Sequence, residues 1–126
     1  MTSAAHPYSL PKEERLHGKK DIETLLAQGR FRSLKGIRYC LRADNGLAFS
    51  RIMVSVPKKL FKRAVKRNLL KRRIRESYRL QKHLLPEGRG MDILFIYNAK
   101  TIMDSSEIFS LIGRILNEIS HETGEN

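Results

Sequence analysis

The sequence has 126 residues, enough for one domain with a single modest core. It carries 25 Lys and Arg against 13 Asp and Glu, a formal net charge of +12, and a field of that sign attracts phosphate polymers or anionic lipid. No apolar run approaches a membrane span, so no membrane partner is expected, and the single cysteine, Cys40, excludes an internal disulfide and fits a reducing cytoplasm.

Residues 1–11, with Pro7 and Pro11 among small and polar side chains, read as an extended arm. Met1 to Leu10 lack the basic and apolar regions of a secretory signal. His17 to Gln28 read as a short helix, with Ile22, Leu25 and Leu26 at helical spacing and Gly29 as its stop. From Phe31 the period changes to two, and Ile37, Tyr39 and Leu41 alternate with Arg38, Cys40 and Arg42. Asp44-Asn45-Gly46 predicts a hairpin turn, because Asn-Gly tolerates positive φ. The return strand then places Ile52, Val54 and Val56 on one face and Arg51, Met53 and Ser55 on the other, until Pro57 ends it. Residues 61–84 read as a long helix closed by Pro86, Gly88 and Gly90. The continuous apolar run from Ile93 to Tyr97 is expected of a strand covered on both faces. Asp104 with Glu107 three residues later predicts an N-cap, and Ile108, Ile112, Ile115, Leu116 and Ile119 form the stripe of a last helix. Residues 122–126 are expected to fray. This order predicts a single α+β domain with helices packed on a small sheet.

The densest feature lies between Lys58 and Arg75, which hold ten basic residues and no acidic one. Projected at 100° per residue, Asn68, Lys71, Arg72, Arg75, Arg79 and Lys82 fall within one arc of about 100°. Val65, Leu69, Leu70, Ile74, Tyr78, Leu80 and Leu84 cover the broader remaining side, interrupted by Lys66 and Arg73, which must snorkel out of it. Many charged helix faces are merely solvated, but those usually mix signs. Here Lys71–Arg75 and Arg75–Arg79 are like-charged i,i+4 pairs, each opposed by roughly 0.2–0.5 kcal/mol. A polyanion partner accounts for that repulsion, with Lys58-Lys59 before the helix adding to the phosphate contacts. There is no zinc-finger spacing and no leucine-zipper heptad, and the charge pattern by itself does not separate DNA from RNA.

At these residues the chain resembles a known family. The run Phe61 to Arg75, with Arg67, Asn68, Lys71 and Arg72 at its centre, resembles the signature helix of the bacterial ribonuclease P protein subunit. Ser55-Val56-Pro57-Lys58-Lys59 resembles the family's strand-end segment, and Arg15-Leu16, Asp21-Ile22 and Gly29 match its first helix, so the likeness covers roughly residues 9–120. The resemblance implies a ribosomal-protein-like fold, with a small mixed sheet, three helices and a left-handed βαβ crossover. It implies partners too: the catalytic RNA of the enzyme, docked by Lys58, Lys59, Lys66, Arg67, Asn68, Lys71, Arg72 and Arg75, and precursor tRNA, with no DNA expected. The single-stranded 5′ leader would lie in a cleft between the first helix and the sheet, lined by Ile22, Leu26, Arg38, Cys40, Arg42, Met53 and Ser55. Two departures stand out. Leu69 takes a position that is often Arg in the family, and Ile22 and Leu26 stand where many members have aromatics, so contact there is expected to be apolar.

Metal-assisted phosphodiester cleavage by a protein usually needs clustered carboxylates to hold divalent ions. Asp21, Glu23, Asp44, Asp92 and Glu107 are scattered among different elements, and His6, His17, His83 and His121 are equally dispersed. No catalytic residue and no cofactor held by the protein alone is expected; the resemblance implies that the RNA carries the Mg²⁺ and the chemistry. Composition alone fits a ribosomal or ribosome-assembly protein as well, and the signature helix decides between them.

Overall fold

The structure, a computed structural model, describes residues 10–123. After a short 3-10 turn at Lys12–Glu14 come α1 (Lys19–Gln28), β1 (Arg30–Leu34), β2 (Ile37–Arg42), β3 (Arg51–Ser55), α2 (Ala64–Gln81), β4 (Asp92–Tyr97) and α3 (Ser105–Thr123). The sheet has the order β1-β2-β4-β3. β1 with β2 and β2 with β4 are antiparallel, whereas β3 and β4 are parallel and joined through α2. This is the expected α+β domain, one mixed sheet with three helices.

The pairing within the sheet corrects one expectation. β2 and β3 do not form a hairpin, because β4 lies between them. The true hairpin is β1–β2, turned by Lys35 and Gly36 with φ of 44° and 95°. Two successive positive φ values give the turn a twist that matches the strands it joins. The Asp44-Asn45-Gly46 turn does form, with Gly46 at φ 79°. It opens a connection across the end of β4 instead. Asn45 accepts from the Leu47 N–H at 2.8 Å and donates to the Asp92 carboxylate at 2.9 Å. Gly90 is wedged against this loop so closely that a Cβ would collide with the Phe49 carbonyl. The apolar run of β4 explains its central place: Ile93, Leu94 and Phe95 are buried from both faces, as an inner strand allows.

The pleat sorts side chains into two cores. Leu41–Ile93–Ile52 and Tyr39–Phe95–Val54 are cross-strand rows facing α2 and α3, which meet them with Leu70, Ile74, Tyr78, Ile108, Ile112, Ile115 and Ile119. α2 and α3 approach most closely where Gly113 leaves room for Gln81, whose amide donates to the Ser77 and Phe109 carbonyls at 3.1 and 3.0 Å. On the opposite face α1 seals a smaller core of Leu16, Leu25, Cys40 and Leu94. Asp104 accepts the Glu107 N–H at 2.9 Å and caps α3 as expected. The α2 side chains that pack are fewer than the apolar count suggests, since Val65 is 77% and Leu80 41% exposed.

Residues 1–9 and 124–126 lie outside the described residues. Leu10 already packs on the main core, and Glu122 and Thr123, expected to fray, are helical. Glu122 pairs with Arg30 at 3.3 Å and Arg32 at 2.7 Å, which ties the end of α3 to the edge strand.

At one end of the sheet Asp92 is fully buried and receives two hydrogen bonds from Arg51, at 2.9 and 2.8 Å. Arg42 stands 3.7 Å from the same carboxylate, and Arg51 reaches Asp21 of α1 at 3.1 Å. Asp92→Ala would leave two arginines without their buried partner, and should lower the unfolding free energy by about 3 kcal/mol in a urea titration. Tyr39 donates to Glu118 at 3.0 Å, and burial first, then that carboxylate, push its hydroxyl up from 10.0 to about 12. Because folding raises this value, the stability it carries is complete below pH 10 and fades as pH climbs toward 12. Tyr39→Phe should flatten that part of the alkaline unfolding profile.

Candidate RNA-binding surfaces

The segment leading into α2 turns at Pro57, whose carbonyl accepts the Leu60 N–H at 3.1 Å. Arg67 fixes the turn from inside the helix, its Nη1 donating to the Phe61 and Lys62 carbonyls at 2.8 and 2.7 Å. The first turn of α2 has no acidic residue and its N-cap, Arg63, makes no side-chain cap bond. Cations near a helix N-terminus oppose the macrodipole. Here the dipole and the side chains add into one positive field.

Leu70, Ile74, Ser77, Tyr78 and Gln81 face the protein, which leaves Lys58, Lys59, Lys66, Asn68 and Arg72 exposed and Arg67, Lys71 and Arg75 half-buried. Among the described residues no carboxylate lies within ion-pair distance of any of these cations. The C-terminal part of the stripe differs. Arg79 pairs with Glu76 at 2.6 Å and Lys82 with Glu14 at 2.9 Å. The unneutralised charge is therefore concentrated on the first half of the helix and its lead-in. Arg73, which had to leave the apolar side, does so by donating to the Met103 carbonyl at 2.6 Å.

The second candidate surface is the face of the sheet under α1. Three cross-strand rows build it: Arg42–Asp92–Arg51, Phe31–Cys40–Leu94–Met53 and Ser33–Arg38–Ile96–Ser55. Arg38, Cys40, Arg42, Met53 and Ser55 do share one face, although β4 separates the two strands that carry them. Their environments are not alike. Cys40 is completely buried, its Sγ 3.6 Å from the Leu25 carbonyl and against Gly29, where a Cβ would meet the sulfur. It is floor beneath α1, not lining, and burial pushes its thiol up. Arg42 leans on Asp92, so its charge is largely balanced within the protein. Ile22, Met53 and Ser55 are half-buried, and Leu26 and Arg38 are exposed. What remains open is the row of Ser33, Arg38, Ile96 and Ser55, beside the flank of α1.

Two features of this face had no signal in the spacing. Asp92 reads as one scattered acid among several, yet it anchors two arginines. Phe31 reads only as the start of an alternating segment, yet it projects onto the α1 side of the sheet and is 44% exposed. Among the described residues no group of three or more His, Cys, Asp or Glu is placed to hold a metal ion. The two carboxylates that come together, Asp21 and Asp92, do so around Arg51, whose guanidinium already engages both and opposes a metal ion there.

A profile of the family described as Ribonuclease P matches residues 10–120. The chain belongs to the ribonuclease P protein family. It is 46% identical over 87 residues to the ribonuclease P protein component of Porphyromonas gingivalis, a match covering 68% of this chain and 63% of that protein. A second strain's protein is matched over 58% of its length, so the chain spans under two thirds of these relatives. The Borrelia hermsii component is 34% identical over 102 residues, 80% of this chain and 87% of that one. Among solved structures, the RNase P protein from Thermotoga maritima superposes with a TM-score of 0.71 at 26% identity, over 83% of this chain and 96% of that one. The Staphylococcus aureus RNase P protein gives 0.71 at 25%, over 83% and 94%.

In this ribonuclease P family member the two surfaces meet. A hollow of about 140 Å³ at the outer edge of β3 is lined by Arg15, Leu16, Met53 and Arg75. Arg75 comes from the basic stripe and Met53 from the α1 side of the sheet. The Leu16 N–H donates to the Ile52 carbonyl at 2.7 Å, closing this edge of the sheet just before α1. A polyanion on α2 can therefore continue around the edge of β3 without leaving protein surface. Lys66→Ala with Arg72→Ala removes two exposed cations with no packing role. The pair should reduce the salt slope of structured-RNA binding by roughly 2 while leaving the unfolding midpoint unchanged. Measuring Kd across a salt series, alongside thermal melts, checks both.

Proposed function

We propose that this chain is the protein subunit of a ribonuclease P ribonucleoprotein, which removes the 5′ leader of precursor tRNA while the RNA subunit carries out the cleavage. The unneutralised half-helix from Lys66 to Arg75, together with Lys58 and Lys59, carries this reading. In it, those cations and Asn68 dock the catalytic RNA by cancelling backbone charge, a contribution that salt weakens. Arg67 reaches RNA only with the part of its guanidinium not engaged by Phe61 and Lys62. The α1 side of the sheet, with Arg38, Ile96, Met53 and Ser55 between Ile22 and Leu26, receives the leader as an extended strand.

The protein's part is binding and positioning. The acids brought together by the fold are already engaged by Arg51, which fits a protein that leaves Mg²⁺ to the RNA. A thiol as buried as Cys40 has no access to substrate and acts as core. No helix of the described residues is long and apolar enough to cross a membrane. The reading places the complex in the cytoplasm, where the substrate is made.

Reconstitution with the RNA subunit from the same genome tests it. Added protein should lower the Mg²⁺ concentration needed for cleavage and tighten binding of precursor tRNA more than of mature tRNA. Cleavage that is indifferent to the protein at every Mg²⁺ concentration would overturn the assignment.

A further inference from the structure

Phe31 is the sole aromatic on the α1 side of the sheet among the described strand residues, and α1 itself has none. An exposed aromatic on an edge strand is a liability that proteins usually avoid, because it invites edge-to-edge association. Here the ring is not left to solvent alone. The Arg38 guanidinium lies over it at 4.9 Å from the centroid. Arg38 is two residues along β2 from Cys40, the register partner of Phe31, so the contact runs diagonally across the hairpin. The result is a paired guanidinium and aromatic ring at the edge of the open row of Ser33, Arg38, Ile96 and Ser55. Leu26, 46% exposed in the last turn of α1, stands at the corner where α1 passes into β1.

No acidic side chain balances Arg38 among the described residues. Asp92 and Asp21 are committed to Arg51, and Glu122 to Arg30 and Arg32 from the other face. A guanidinium over a ring, beside a groove that is neither acidic nor fully apolar, matches one class of ligand. That class is an unpaired nucleobase with its phosphate, for which both the ring and the guanidinium plane offer a stacking surface.

We propose that Phe31 and Arg38 form the stacking platform for one base of the single-stranded leader, supplying from β1 and β2 the aromatic contact that the aliphatic α1 does not provide. This inference rests on the function proposed above. Phe31 holds the base face and Arg38 adds attraction for the adjoining phosphate. Neither residue touches the α2 surface, so the platform contributes to leader binding independently of docking on the catalytic RNA.

The test uses the reconstituted holoenzyme with precursor tRNA, with the same tRNA lacking a leader, and with precursors in which single leader nucleotides are made abasic. Phe31→Ala should weaken binding of the leader-bearing tRNA roughly ten-fold, the size of a single base stack. It should leave the leaderless tRNA and the protein's affinity for the catalytic RNA unchanged. Phe31→Tyr should bind as the unaltered protein does, and Phe31→Leu, which keeps apolar area without a π face, should fall with Phe31→Ala. One abasic position should abolish the difference between Phe31→Ala and the unaltered protein. Full affinity in Phe31→Ala or in Phe31→Leu would overturn the platform, as would an equal loss on leaderless tRNA. Should the unaltered holoenzyme itself bind both tRNAs alike, the proposed function fails first, and the platform with it.

Discussion

The packing of one side of α2 against the sheet is the interaction on which the rest depends, because several local features of this helix oppose its formation. Its first turn carries cations against the dipole, its cap position makes no side-chain bond, and its exposed stripe repeats like charges at i,i+4. Each of these opposes helix formation by tenths of a kcal/mol or more, and an isolated helix of this length is marginal in water even without them. Leu70, Ile74 and Tyr78, all at or near complete burial, supply the compensation, at about 1.5–3 kcal/mol for each large apolar side chain removed from water. The basic surface of α2 is thus a strained electrostatic arrangement imposed by the core beneath it, and a polyanion bound there would relieve it.

The opposite face of the sheet distributes its charge differently. Three arginines share that face, but two of them, Arg42 and Arg51, converge on the buried Asp92, and Arg51 also holds Asp21 of α1. Hydrogen bonding to Asp92 first, then the attraction of both carboxylates, hold the Arg51 guanidinium in its charged form. These residues fix where α1 crosses the sheet, and so set the width of the surface left open beside it. Only Arg38 remains to meet a ligand. The division is sensible on electrostatic grounds, since a groove with three uncompensated arginines would hold any phosphate chain, whereas one cation beside apolar and small side chains leaves the bases to contribute.

The sequence made the face of each strand legible but not its neighbour. Alternation with period two fixes which side chains share a face whatever strand lies alongside, which is why Arg38, Met53 and Ser55 fall together as expected. Pairing is a non-local choice. Asn45-Gly46 is a strong local turn signal, yet the run Ile93 to Tyr97, which starts 47 residues after Gly46, needs two neighbours and cover on both faces, and it takes the central slot. The start and the buried face of the last helix were readable because its apolar stripe and its Asp104 cap are both local. Its extension to Thr123 was not, since Glu122 finds its partners on β1. The same limit applies to the candidate site. Helical projection isolates the basic stripe of α2, but whether a cation in it is free, as Arg72 is, or already engaged, as Arg67 and Arg79 are, depends on carbonyls and acids that only the folded chain brings near.

The distribution of charge over the whole molecule follows from these placements. The segment Lys58 to Arg75 contains ten basic residues and no acid, while the chain's formal excess is twelve, so the remainder of the protein is close to neutral. A protein polarised in this way is turned by a polyanion's field before contact, with α2 leading. Under the proposed function, with α2 seated on RNA, Arg75 and the hollow at the edge of β3 would carry the surface on toward Met53 and the side of the sheet that bears Arg38. Long-range attraction therefore selects the approach, and the shorter-range surface, with little net charge of its own, is presented afterwards in a fixed direction. One rigid sheet between the two faces makes that order possible, because it keeps the strong field and the selective surface apart while joining them at a single edge.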